Sequence, residues 1–148
     1  MSFFEKLRKA DRRTVKRKIG DKGENLAAEY LKENGYKILE RNWTHKKNEI
    51  DIIALKGEAV IFVEVKTTAS DKAEEFKLPL EAVDRNKRKN LTDGAREYML
   101  LRKRNFNYDE EYYRFDVIEV YLNRDTPEIN HIQDAFFAEK GKTKQWKI

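Results

Sequence analysis

Asp51, Glu64 and Lys66 are charged side chains set inside stretches otherwise made for burial. "NEIDIIAL" (residues 48–55) and "VIFVEVKT" (60–67) are dominated by Ile and Val and read as strands. Side chains alternate along a strand, so Glu64 and Lys66 project from one side, next to Phe62. In the first strand, strict alternation predicts Glu49, Asp51 and Ile53 on one face, with Ile50, Ile52 and Ala54 on the other. Lys56-Gly57-Glu58 turns the first strand back into the second, so Asp51 and Glu64 can converge at one end of a sheet. Two carboxylates brought together repel, and desolvating them costs several kcal/mol each without a compensating positive charge. A hard divalent cation, Mg²⁺ or Mn²⁺, compensates well, because it takes one or two carboxylates together with waters and phosphate oxygens. Lys66 beside such an ion could hold a water or a phosphate oxygen. That assembly suits metal-dependent hydrolysis of a phosphodiester.

A glutamate and a lysine two apart on a strand are, by themselves, more often an exposed salt bridge. Asp51 on the partner strand and Glu24 on the preceding helix shift the balance toward a site. "GDKGENLAAEYLKENGY" predicts a helix from about Asp21 to Asn34, stopped by Gly35, with Gly23, Ala27 and Tyr30 along a close-packing stripe. "YKILERN" reads as a short strand, residues 68–78 as a polar loop, and 80–103 as a long helix that begins after Pro79. "EYYRFDVIEVYL" is a fourth strand, and "PEINHIQDAFF" a last short strand or docking segment. The order αβββαβ predicts an α/β domain. Its mixed central sheet is a three-stranded meander, a helical crossover and a fourth strand parallel to the third, with helices flanking it.

Lys87 interrupts the helical stripe Val83, Leu91, Ala95 and Tyr98, so it either snorkels outward or points at the rim of the site. Arg114 and Asp116 share a face of the fourth strand and read as a structural ion pair. His45 and His131 have no partner motif and read as surface or loop residues. No glycine-rich phosphate loop is present, which argues against ATP-driven chemistry.

Charge is distributed unevenly along the 148 residues. Residues 1–18 carry eight Lys/Arg and two Asp/Glu, a net of +6, against +5 for the whole chain, so the body is close to neutral. The chain therefore divides into a basic arm, 1–18, and a single domain, 19–148. Residues 85–104 add eight basic and two acidic side chains, and basic patches of this kind attract phosphate backbones. With 39% hydrophobic residues and 17 aromatics (eight Phe, seven Tyr, two Trp), a core can form. There is no cysteine, which excludes disulfides and thiolate zinc sites. No stretch reads as a signal peptide or a membrane span, so the expectation is a soluble, cytoplasmic protein without stable membrane association.

Gly23-Glu24 opening a helix, Asn48 to Ala54 (N-E-I-D-I-I-A), Phe62 to Lys66 (F-V-E-V-K) and Arg114 to Val117 (R-F-D-V) together resemble the YraN-like family of small bacterial proteins. That family looks like part of the restriction-endonuclease-like PD-(D/E)xK superfamily, similar to Holliday junction resolvases. The resemblance covers roughly residues 19–137. It implies that Asp51 and Glu64 bind Mg²⁺ or Mn²⁺ together with the main-chain carbonyl of Val65, and that Lys66 is catalytic. Glu24 would be an auxiliary acid, and Lys87 would meet the scissile phosphate. Asn48 stands where the family usually has glycine, and Thr67 and Thr68 where it commonly has arginine.

The expected activity is hydrolysis of DNA, with branched and single-stranded DNA among the candidate substrates and a homodimer among the compatible assemblies. A DNA-binding module without chemistry is the first alternative. A protein that meets a partner or a membrane surface through its basic N-terminus, with Phe3, Phe4 and Leu7, is the second.

Overall fold

The computed structural model describes residues 12–69, 84–106 and 112–136. Over these the chain forms α1 (Arg12–Glu33), β1 (Lys37–His45), β2 (Asn48–Lys56), β3 (Ala59–Thr68), α2 (Arg85–Phe106), β4 (Tyr113–Tyr121) and β5 (Glu128–Phe136). Phe3, Phe4 and Leu7 of the arm, Pro79, Val83 and most of the polar loop lie outside the described residues.

One five-stranded sheet runs in the order β1-β2-β3-β4-β5, antiparallel except for the parallel β3–β4 pair that α2 connects. This is the mixed sheet and αβββαβ order expected from the sequence, with β5 added at the far edge. β3 is central and covered on both faces. Val60 to Val63 are almost without exposure, which explains an unbroken apolar run where half-buried strands alternate. On one face Ala27, Ala28 and Leu31 of α1 pack with Ile52, Ala54, Ile61, Val63, Ile118 and Val120. On the other, Leu91, Ala95, Tyr98 and Met99 of α2 pack with Ile50, Ile53, Val60, Phe62, Phe115 and Val117. Full burial of each such Ile, Leu or Phe side chain contributes about 1.5–3 kcal/mol before entropic costs. This apolar scaffold fixes the register on which the charged residues ride.

Three expectations need correction. α1 is already helical at Arg12, nine residues before the expected Asp21, so the basic arm from Arg12 onward is continuous with the helix that carries Glu24. Gly20 followed by Asp21 imitates a helix start, but Gly within a helix costs only about 1 kcal/mol, and Lys and Arg are good helix formers. Strict alternation along β2 also fails. Ile50 packs with Ile53 on the α2 side, whereas Ile52 and Ala54 face α1. The break falls at Asp51, where the pairing of β2 with β3 has ended at Ile52–Val63. Finally, the side chain of His131 is buried at 4% exposure and bonded to Asp116, so it is a core residue of β5; His45 is half-buried and stacks on Trp43.

α1 terminates as its sequence demands. Gly35 takes φ +84°, its amide donates to the Lys32 carbonyl, and the Tyr36 amide donates to the Leu31 carbonyl at 2.9 Å. This is the left-handed helix stop for which glycine has no Cβ penalty. α2 begins at an Asp84 cap whose Oδ1 accepts the Lys87 amide at 2.8 Å. The cap sets Lys87 in the first turn, over the C-terminal end of β3.

Candidate active site

β2 and β3 pair only as far as Ile52–Val63. Beyond that pair, Asp51 Oδ2 accepts the amide of Val65 at 2.8 Å, so a side chain takes over where the backbone ladder stops. The parting strands open a cleft of about 360 Å³, lined by Lys16, Arg17, Gly20, Asp21 and Glu24 of α1 and by Asp51, Glu64, Val65, Lys66 and Thr67 of the strands.

Of the sequence-nominated residues, Glu24, Asp51, Glu64, Val65 and Lys66 line this cleft, and Lys87 joins them through Glu64. Glu64 is 4% exposed, and its Oε1 lies 3.3 Å from Lys66 Nζ and 3.4 Å from Lys87 Nζ. The other oxygen, Oε2, is buried without a hydrogen-bond partner. Burial, then the negative charge of Asp51, pushes the Glu64 carboxyl up to about 7, against the opposing pull of Lys87 and Lys66. Glu24 is pushed up to about 7 as well, by burial, by the charge of Asp51 and by a side-chain hydrogen bond to it, with Arg41 pulling the other way. A hydrogen bond between two carboxyls requires a shared proton. Glu24, Asp51 and Glu64 are therefore one electrostatically frustrated group, with Asp51 between the other two.

The approach of α1 depends on Gly23. A Cβ there would come within 2.8 Å of the Thr67 Cβ and Cγ2, and closer still to its Oγ1. Glu24 reaches Asp51 because its neighbour has no side chain.

The donor set fits a hard divalent cation. Carboxylates in surplus, an orphaned buried oxygen on Glu64 and proton sharing near neutrality are what a positive ion in the cleft would relieve. Asp51, Glu64 and the Val65 backbone would hold it, with Glu24 behind Asp51. Among the described residues no three His, Cys, Asp or Glu side chains already stand at the spacing of a metal's ligands. An ion that keeps several waters and takes two carboxylates needs no such trio.

Lys16 and Arg17 line the cleft, although in the sequence they belong to a general basic arm. The signal was their spacing: they precede Glu24 by eight and seven residues, a helical repeat that counts only if the helix extends upstream of Gly20. Arg114 and Asp116 stand apart from the cleft. Asp116 is fully buried and accepts from Arg114 Nε at 2.7 Å and Nη2 at 2.8 Å, from the Asp134 amide at 3.0 Å, and pairs with His131 Nε2 at 2.7 Å. Burial alone would raise the Asp116 pKa, but these bonds outweigh it and hold the pKa below its ordinary value. With His131 Nε2–H donating to Asp116, Nδ1 is left to accept the Tyr30 hydroxyl at 3.2 Å, while Arg114 also donates to the Tyr36 hydroxyl at 2.9 Å. This network ties both strands to the C-terminal end of α1.

Over the described residues, fold and cleft together define a mixed-sheet α/β domain with a helix on each face and an acidic site where two central strands part. The chain belongs to the family described as "Uncharacterised protein family UPF0102", whose model matches residues 23–120 and so includes Glu24, Asp51, Glu64, Val65, Lys66 and Lys87. A UPF0102 protein of Caldanaerobacter subterraneus is 44% identical over 124 residues, covering 82% of this chain and 96% of its own. One from Caldicellulosiruptor saccharolyticus is 45% identical over 123 residues, covering 82% and 98%. One from Flavobacterium johnsoniae is 39% identical over 119 residues, covering 80% and 94%.

Proposed function

We propose that the protein is a metal-dependent nuclease of the PD-(D/E)xK type that hydrolyses phosphodiester bonds in DNA. The observation that carries this reading is the meeting of Glu24, Asp51, Glu64 and Lys66 in one cleft, with Glu64 Oε2 buried and unpartnered. A structural salt bridge on a strand has no use for two further acids beside it.

When bound, Mg²⁺ or Mn²⁺ supplies Lewis acidity toward a phosphoryl oxygen and lowers the pKa of a nearby water. The chain's own residues do the rest. Lys66, a compact charge on a flexible stem, holds the attacking water or a non-bridging oxygen against Glu64. Lys87, anchored in the first turn of α2, offsets the charge that builds on the phosphate. Glu24, with its carboxyl near 7, takes up or releases a proton at neutral pH. In the step itself the water oxygen bonds to phosphorus, the P–O bond to the leaving sugar breaks, and a proton passes to the departing oxygen.

The test is cleavage of linear, single-stranded and branched DNAs with Mg²⁺, Mn²⁺ or chelator, by the full chain and by Asp51→Asn and Glu64→Gln. Cation-dependent cleavage lost in both variants supports the reading and ranks the substrates. DNA binding with no cleavage of any substrate under any cation would replace it with the non-catalytic module.

A further inference from the structure

The cleft is electrically divided along α1. Glu24, Asp51 and Glu64 form its acidic floor, and Lys16 and Arg17 line it about two helical turns upstream of Glu24 on α1. Among the described residues neither of these two makes an ion pair, although Asp21 follows Arg17 by four residues, the helical distance at which Arg and Asp commonly meet. Nor do they neutralise the acids: the cations that act on Glu64 are Lys87 and Lys66, and the one that acts on Glu24 is Arg41. Two cations on a cleft wall, left unpaired beside acids in surplus, have a use when the ligand brings negative charge to that end.

Distance sets the kind of ligand. Arg17 and Lys16 precede Glu24 by seven and eight residues, about 10–12 Å along a helix at 1.5 Å per residue. A ligand with anionic groups spaced along the helix matches that separation better than a single phosphate does. A polynucleotide backbone, with a phosphate at every step, reaches both ends at once. We propose that Lys16 and Arg17 form a phosphate track that grips the DNA backbone beside the scissile phosphate, so that the substrate is a polynucleotide and not a mononucleotide or small phosphate ester. The track rests on the nuclease reading for the meaning of the floor, but its own contacts are plain charge pairing. The continuity of α1 gives it direction. The backbone runs along the helix from Lys16 toward Glu24, and the basic charge from Arg12 to Lys18 is held in helical order.

The experiment is fluorescence-anisotropy binding of a labelled oligonucleotide in chelator across a salt series. It compares the full chain with Lys16→Gln/Arg17→Gln and with Arg13→Gln/Lys18→Gln. The last pair removes the same charge from exposed positions that do not line the cleft. Each phosphate contact contributes roughly 0.9 to the slope of log K against log salt on duplex DNA. The track variant is expected to lose about 2 from that slope, and the control pair much less. Equal losses in the two variants, or no loss in the first, would overturn the track, as would absence of DNA binding by the full chain. Kinetics then separate it from the chemistry. With cation present, Lys16→Gln/Arg17→Gln should raise KM for the oligonucleotide at least tenfold, whereas Arg13→Gln/Lys18→Gln should leave it nearly unchanged. A track that binds as described in a protein that cleaves nothing sinks the nuclease reading alone; cleavage with an unaltered KM in the variant sinks the track alone.

Discussion

Asp51 sits between two carboxyls that it raises, and its own contact with the Val65 amide holds it in place. The raised groups make a signed prediction. A carboxyl whose folded pKa exceeds its unfolded value favours the folded state while protonated, so that stability is full below about 4.5 and is lost as pH climbs toward 7. Thermal melts in chelator should therefore show the midpoint falling between pH 5 and pH 7, with a shallower fall in Glu64→Gln, which no longer ionises. A fall of equal depth in that variant would mean that Glu64 is not part of the strained group. Mg²⁺ or Mn²⁺ at neutral pH should raise the midpoint of the native chain. At a hundredfold excess over its Kd a ligand contributes about 2.7 kcal/mol. Asp51→Asn should abolish that rise, and its persistence would place cation binding elsewhere.

Gly23 and Thr67 decide how closely α1 approaches β3, and with it whether Glu24 reaches the cleft. Gly23→Ala must push the helix outward or displace Thr67, and overpacking of this kind costs about 1–3 kcal/mol. Denaturant unfolding should show that loss, with part of it recovered in Gly23→Ala/Thr67→Ala, where the nearest clashing atoms are gone. Loss without recovery would point to another cause, such as changed helix propensity. At this scale the strands were legible in the sequence, because β-branched apolar runs and the Gly57 turn left little choice of register. Gly35 announced the end of α1 equally well. The start of α1 was hidden, since Gly20-Asp21 reads as a boundary, and what carries the helix through it is packing of Ile19 on the sheet. Strict alternation along β2 misled for a related reason. The period-2 rule assumes a regular extended strand, and β2 departs from one at Asp51, just where its ladder to β3 has ended. Convergence of Asp51 and Glu64 was readable from the hairpin, while the facing of Lys87 became definite only with the Asp84 cap.

Over the described residues the molecule is a sheet held between two helices, with the cleft and the Asp116 network at different places. The cleft is left strained, whereas the Asp116 network is satisfied: its carboxylate accepts Arg114 twice and the Asp134 amide once, and pairs with His131. Local spacing betrayed only its Arg114–Asp116 pair, because the other members come from α1, β5 and the turn after α1. Asp116→Asn would leave Arg114 without its charge partner and should cost about 3–5 kcal/mol, the usual effect of breaking a buried pair. Urea unfolding measures it, and a loss below 1 kcal/mol would show that the network does not hold the fold. The cleft answers to a different measurement, which is also the most direct one for the account as a whole: the single-turnover DNA cleavage rate of Lys66→Ala, taken beside its cation affinity. If Glu64 and Lys66 serve hydrolysis, the rate falls by orders of magnitude while cation binding persists, and Lys66→Arg restores it only in part. Full cleavage by Lys66→Ala would contradict the account and leave the pair a salt bridge worth about 1 kcal/mol or less.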